Sequence, residues 1–339
     1  MRNTIMGKQI SAPILIRMLL VMLIGMIMLT GCGVTNRILG SLDADNLGRK
    51  YNITLIAKKS EGIFWSNVFL GASAASTEYN INLTLKGPDN EEDYVTQNEM
   101  IHQAVLDGSD AIVISAIDFI ANAVAVDQAA AAGVHIVVID SDVNSDLVGS
   151  RVGTDNFEAG RVAGQAVLDV EAQQLNIGLV NFNVITENGQ SRERGFRSVV
   201  GEDPRVRIID TINVNSTVDS AKEGAIQMLS RNPEINVIVT FNEWTSLGVG
   251  NAIYKLGLGQ DVHVVAFDSN VHSIDMLERG DIDALVIQTP FVMGYLGVER
   301  AYHLIRGQEV DAYTYTPVKL VTRENLFDED YMRMIFVFD

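Results

Sequence analysis

His135-Ile-Val-Val-Ile-Asp-Ser141 and, 128 residues later, His263-Val-Val-Ala-Phe-Asp-Ser269 are two copies of one pattern. Each is an unbroken apolar run that ends in an aspartate and a serine. A strand with no polar alternation is covered on both faces, the signature of a parallel sheet between helical layers. Working outward, further short apolar runs alternate with longer helical patterns. Strand candidates include Ile53 to Ala57, Ala111 to Ser115, Ile177 to Phe182, Val237 to Phe241 and Ala284 to Gln288. Helix candidates include Ser66 to Tyr79, Tyr94 to Leu106, Glu158 to Val170, Thr245 to Lys255 and Val292 to Ile305. The fold class is α/β, doubly wound with parallel sheets. The distance between the two copies favours two similar lobes, the alternative being one long sheet whose Val-rich strands resemble each other by composition.

The N-terminus has a different character. Arg2, Lys8 and Arg17 precede the apolar run Met18 to Leu29, which leads into Leu29-Thr30-Gly31-Cys32. A run of about a dozen apolar residues is short for a bilayer span, which needs about 20. An export signal over 1–31 is therefore expected, with an uncleaved anchor as the alternative. Leu-Thr-Gly-Cys resembles the lipobox of bacterial lipoproteins, which implies lipidation of Cys32. Cys32 is the only cysteine, so no internal disulfide can form. Residues 32–49 read as a tether. Removing 1–31 takes three positive charges off the formal −18 and leaves −21. That surface argues against nucleic acid and anionic lipid headgroups as partners, so membrane attachment would come through the lipid on Cys32.

Open parallel sheets bind ligands outside the carboxyl ends of their strands. Those ends carry Glu61, Phe64 and Trp65, then Asp140 and Ser141, Arg192 beyond Phe182, Asn242 and Trp244 after Phe241, Asp268, and Gln288. The two tryptophans of the chain, Trp65 and Trp244, both fall there. Aromatic faces complement the C–H faces of a sugar ring. Asp, Asn, Arg and Gln each offer two hydrogen-bonding positions at fixed geometry, matching vicinal hydroxyls. The combination points to a sugar or polyol. The bland alternatives are aromatics that cap the core and aspartates that cap the next helix.

Gly62-Ile-Phe-Trp65, Gly153-Thr-Asp-Asn156, Arg192-Glu-Arg-Gly-Phe196, Asn242-Glu243, Phe267-Asp-Ser269 and Ile287-Gln-Thr-Pro-Phe291 occur in an order that resembles the type I periplasmic binding proteins of the ribose and galactose class, over about residues 50 to 325. The resemblance implies a solute-binding component of a sugar ABC transporter, with two lobes joined by a three-stranded hinge. It implies a first lobe of 50–154 plus 289–317 and a second of 155–288 plus 318–339. It implies stacking aromatics at Phe64 and Trp65, a hydroxyl-binding carboxylate at Asp140, and a clamp at Arg192. Asn242 and Asp268 would be the second-lobe pair, and Gln288 a ligand contact at the hinge. The chain departs from the ribose binders at Glu61-Gly62, where they have two asparagines. Ser141 stands where they have an arginine, and no aromatic lies near Asn215. These departures point away from ribose and leave a sugar or polyol.

Asp140, Asp142, Asn144 and Asp146 have the spacing of a calcium loop. Ser145 stands where that loop needs glycine and Arg151 where it needs glutamate, so no metal is expected. There is no phosphate-cradling glycine loop and no nucleophile elbow, so neither a cofactor nor an enzyme is expected. Two functions remain: a lipid-anchored, exported protein that delivers its ligand to an ABC permease, or a sensor of the same fold that signals to a membrane receptor or kinase. A repressor is disfavoured, because an export signal stands where a DNA-reading helix pair belongs.

Overall fold

The computed structural model describes residues 50–335, so the expected export segment and the whole of the expected tether, Cys32 included, lie outside the described residues, as do residues 336–339. In chain order the strands are β1 (Asn52–Ile56), β2 (Asn82–Lys86), β3 (Ala111–Ile114), β4 (His135–Ile139), β5 (Ser150–Thr154), β6 (Leu175–Phe182), β7 (Val206–Val214), β8 (Val237–Thr240), β9 (His263–Phe267), β10 (Ala284–Ile287), β11 (Tyr313–Thr316) and β12 (Lys319–Thr322). The helices are α1 (Ile63–Glu78), α2 (Tyr94–Leu106), α3 (Ala123–Ala131), α4 (Asn156–Leu168), α5 (Glu187–Val200), α6 (Val218–Arg231), α7 (Glu243–Leu256), α8 (Val271–Arg279), α9 (Pro290–Ile305) and α10 (Glu329–Ile335). None of these helices is long and apolar enough to cross a membrane.

Two six-stranded sheets result, one ordered β11-β5-β4-β3-β1-β2 and the other β12-β10-β9-β8-β6-β7. The second repeats the first, with β6 to β10 in the places of β1 to β5. The two-lobe reading holds, and the single long sheet is excluded. Every strand of β1, β3, β4, β8, β9 and β10 is buried along its apolar run. Separate apolar clusters fill both faces of each sheet. The chain passes from the first sheet to the second after β5, returns after β10 through α9, which packs on α1, and crosses again between β11 and β12.

Strands β5, β11 and β12 give no readable signal, because Ser-Arg-Val-Gly-Thr, Tyr-Thr-Tyr-Thr and Lys-Leu-Val-Thr are half polar. Tertiary pairing alone makes them strands, and β12 runs antiparallel to β10.

Each lobe also carries a pair of helices that touch at glycines. In the first, a Cβ built on Gly71 would lie 1.9 Å from the Phe291 carbonyl oxygen, and one on Gly294 the same distance from that of Val68. In the second, Gly160 meets the Arg192 carbonyl oxygen and Gly195 that of Phe157, again at 1.9 Å. Only a residue without Cβ allows α4 and α5 to approach so closely, and that approach sets where Arg192 stands.

Candidate functional site

The topology reverses between β1 and β3 in the first sheet and between β6 and β8 in the second, so loops part at those places and leave room at the strand ends. Lys58 follows β1, Ser115 follows β3 and Asp140 follows β4. Asn242, Asp268 and Gln288 follow β8, β9 and β10. The two sets face each other across one cleft.

Asp140 and Asp268 are held alike. Both have left-handed backbones, φ 56° and 69°, a region that short polar side chains tolerate better than most. Their amides bond back to the next strand, Asp140 N to Val152 O at 3.1 Å and Asp268 N to Val286 O at 2.9 Å. Neither caps a helix. That task falls to Asn242 for α7 and Asn270 for α8, each in a reciprocal capping box with the residue three further on. Asn242 Oδ1 is thereby committed to Thr245 N at 2.9 Å, while its amide donates to Ser216 Oγ at 2.7 Å.

One hydrogen-bonded network joins the lobes. Arg192, 1% exposed, donates from Nε to Asn156 Oδ1 at 2.9 Å, from Nη1 to the Phe241 carbonyl at 2.7 Å and from Nη2 to Gln288 Oε1 at 2.8 Å. Gln288 Oε1 also accepts from Thr154 Oγ1 at 2.9 Å, and Gln288 Nε2 donates to Asp268 Oδ1 at 2.6 Å. Gln288 therefore links two crossings between the sheets to the aspartate of the second lobe. Asp140 accepts from Ser115 Oγ at 2.9 Å and Asn188 Nδ2 at 3.2 Å, with Lys58 Nζ at 3.7 Å and Arg192 Nη2 at 3.9 Å.

Phe64 and Trp65 sit in the first turn of α1, and Trp244 in that of α7, so these aromatics belong to helix N-termini and not to loops. Phe64 and Trp65 meet edge to face at 5.0 Å. Trp65 is 2% exposed and donates Nε1–H to Glu91 Oε1 at 2.8 Å, so it serves the core of the first lobe as well as the cleft wall. Trp244 lies against Gly62, with the Lys59 ammonium 4.3 Å from its ring centroid.

The cleft is shut along its rim. Glu91 Oε2 takes a hydrogen bond from Ser216 Oγ at 2.7 Å, Glu92 Oε1 one from Ser216 N at 2.6 Å, and Ile185 O one from Phe119 N at 3.0 Å. A free volume of ≈ 20 Å³ remains inside, bounded by Lys58, Phe64, Trp65, Glu91, Asp140, Phe182, Asn188, Arg192, Asn242, Glu243, Trp244, Asp268 and Gln288. That is room for about one water.

Of the residues the sequence pointed to, Phe64, Trp65, Asp140, Arg192, Asn242, Trp244, Asp268 and Gln288 are brought together. Glu61 is exposed and does not line the cleft. Ser141 is fully buried beneath it, its hydroxyl without a partner among the described residues. Lys58, Glu91, Phe182, Asn188 and Glu243 complete the wall. Lys58 and Glu243 stand beyond the ends of β1 and β8, on the same segments as Phe64, Trp65 and Trp244. Glu91 comes from the loop after β2 and Asn188 from the first turn of α5, where no apolar run marks the position.

Four carboxylates, Glu91, Asp140, Glu243 and Asp268, face two cations, Lys58 and Arg192. Burial, with the Asp268 charge nearby, pushes Glu243 up to about 7 despite hydrogen bonds from Asn270 and the Phe64 amide. Burial also raises Asp268, against the opposing pull of Arg192 and the Gln288 amide. Of the calcium-loop acids, Asp140 belongs to the network above and Asp142 pairs with Arg151 at 2.8 Å.

Comparison with known proteins agrees with this architecture. The sequence profile of the family described as Periplasmic binding protein domain matches residues 53–309. The chain belongs to the periplasmic binding protein family. It is a binding protein and not an enzyme. The D-ribose/D-allose-binding protein of Pseudomonas aeruginosa is 27% identical over 286 residues, 80% of this chain and 89% of that protein. A carbohydrate transporter solute-binding protein from Agrobacterium radiobacter, solved in complex with D-arabinose, superposes with a TM-score of 0.82 at 27% identity, covering 85% of this chain and 99% of the other. A sugar transporter structure from Clostridium phytofermentans is 31% identical with a TM-score of 0.74, covering 81% and 100%.

Proposed function

We propose that this chain is a lipid-anchored extracytoplasmic binding protein that captures a neutral sugar or polyol between its lobes and delivers it to an ABC permease. The observation that carries the reading is the convergence of Asp140, Arg192, Asp268 and Gln288 from two sheets beside Phe64 and Trp65. Planar polar groups address vicinal hydroxyls and the aromatic faces address the ring. The excess of carboxylates over cations disfavours sugar acids and sugar phosphates. The relatives that bind ribose, allose and arabinose support the ligand class.

The closed cleft is too small for a ring, so capture requires the lobes to part at the three crossings and shut again, the hinge motion that hides a polar solute from water. On closure the rim bonds from Glu91 and Glu92 to Ser216 would form. The lipobox-like Leu29-Thr-Gly-Cys32 supports the anchor, and mass spectrometry of the mature N-terminus tests it through a diacylglyceryl group on Cys32.

Calorimetric titration with a panel of aldoses, ketoses and polyols is expected to find a tight ligand. Asp268→Ala should weaken it by about 1.5 to 3 kcal/mol, as for a hydrogen bond to a charged group. Binding of an amino acid or nucleoside in place of any sugar would overturn the ligand class.

A further inference from the structure

A second cavity, roomier than the closed cleft, lies beside it. It has a volume of ≈ 280 Å³ against ≈ 20 Å³ and opens beside the first crossing. Its walls are the ends of β4 and β5 and the edge strand β11 on one side, and the starts of α4 and α5 on the other.

Three aromatics line it and remain accessible: Tyr313 at 56%, Tyr315 at 65% and Phe157 at 42% exposure. Tyr313 and Tyr315 are two apart on one strand, so their rings lie on the same face. Their centroids are 6.5 Å apart and their planes are tilted by 32°, which makes a broad aromatic surface with a shallow fold. Their exposure rules out a role as core filling. The polar groups around them are held in place. Arg151 donates from Nε to Asp142 at 2.8 Å and from Nη2 to the Ser145 carbonyl at 2.8 Å, with its guanidinium 5.3 Å from the Tyr313 centroid.

Glu187 approaches from the other lobe. Burial raises its pKa against the pull of Arg194, whose Nη2 donates to Glu187 Oε1 at 3.2 Å.

An anion would meet more carboxylates than cations here. A cation would compete with Arg151 for the Tyr313 face. A neutral ring with hydroxyls avoids the charge objection and can stack on Tyr315, over whose ring no cation lies among the described residues. We propose that this cavity is a second saccharide site, adjoining the cleft at Asp140, which lines both, where a neutral pyranose or furanose stacks on Tyr315 beside Tyr313 and shares its hydroxyls among Arg151, Asp142 and Glu187. Because its walls come from both lobes, an occupant also ties the closed arrangement together.

The test uses the intact chain with D-ribose, D-allose, D-arabinose and D-galactose as probes, read by saturation-transfer NMR and by tryptophan fluorescence. Both tryptophans border the cleft and neither borders the second cavity. The wild-type chain should show saturation transfer to at least one probe that persists in Asp268→Ala, falls at least tenfold in Tyr313→Ala/Tyr315→Ala, and leaves tryptophan fluorescence unmoved. The double variant changes exposed side chains, and an unchanged melting curve confirms that it folds. If no probe gives transfer, or every transfer survives the double variant, the second site is overturned. Transfer lost only with Asp268 sinks this inference and keeps the proposed cleft, whereas transfer lost only with the tyrosines sinks the cleft reading and keeps this one.

Discussion

Asp140 and Asp268 hold equivalent places in two similar lobes, after equivalent strands, with the same rare backbone conformation, and yet their surroundings differ. Asp140 is held by Lys58, Ser115 and Asn188. Asp268 receives the Gln288 amide, has no cation within ion-pairing distance among the described residues, and is pushed toward protonation by burial. Duplicated topology has conserved the geometry of the two lips and left their electrostatics free to diverge. One lip is an anchored charge, and the other is a carboxyl in a dry pocket whose neighbour Glu243 is raised to about 7.

The most damaging way to break this asymmetry is Lys58→Met. It keeps the aliphatic stem and leaves Asp140 buried with Arg192 alone at 3.9 Å. Removing one partner of a buried pair costs about 3 to 5 kcal/mol, which urea denaturation at neutral pH should show as a lowered midpoint. A loss under about 1 kcal/mol would mean that Lys58 does not hold Asp140.

The shared geometry can be broken with comparable force in either lobe. Gly71→Ala and Gly195→Ala each drive a Cβ against a backbone carbonyl at 1.9 Å, so each should cost about 3 kcal/mol of unfolding free energy. Both should also weaken ligand binding, because α5 carries Arg192 and α1 carries Phe64 and Trp65.

Proton linkage sharpens the comparison. Glu243 binds its proton more tightly folded than unfolded, about 7 against 4.5. Its contribution is therefore fully present below about 4.5 and is lost as pH rises through about 7, by about 3 kcal/mol at most. Asp268 acts with the same sign. Denaturation midpoints between pH 5 and 8 should fall, and Glu243→Gln should flatten that slope. An unchanged slope would place the proton elsewhere.

The smallest effect is expected at Asp268→Asn. The amide keeps the shape and removes a charge that burial disfavours, so stability should change by less than about 1 kcal/mol. Equal losses in Asp140→Asn and Asp268→Asn would erase the distinction between the two lips.

Much of this was legible in the chain alone. Continuous apolar runs mark a strand buried on both faces wherever it is, so β4 and β9, and the aspartates beyond them, could be read directly. The aromatics were legible as residues at strand ends, though not as members of helix first turns, because Gly62 and Asn242 start α1 and α7 earlier than their apolar periodicity does. Glu61 was misplaced for a related reason: a residue beside a site in sequence points wherever the turn sends it, here into solvent.

Sequence by itself determined the fold class, the duplication and the chemistry at the strand ends, since these rest on local periodicity and composition. Tertiary structure decided the rest. It made strands of β5, β11 and β12, whose half-polar segments become regular only by pairing with neighbours distant in the chain. It assigned Lys58 to Asp140 and Gln288 to Asp268, because a hydrogen-bond partner is selected by position in space. It also raised the proton affinity of Asp268 and Glu243, since desolvation belongs to the closed cleft and not to any stretch of residues.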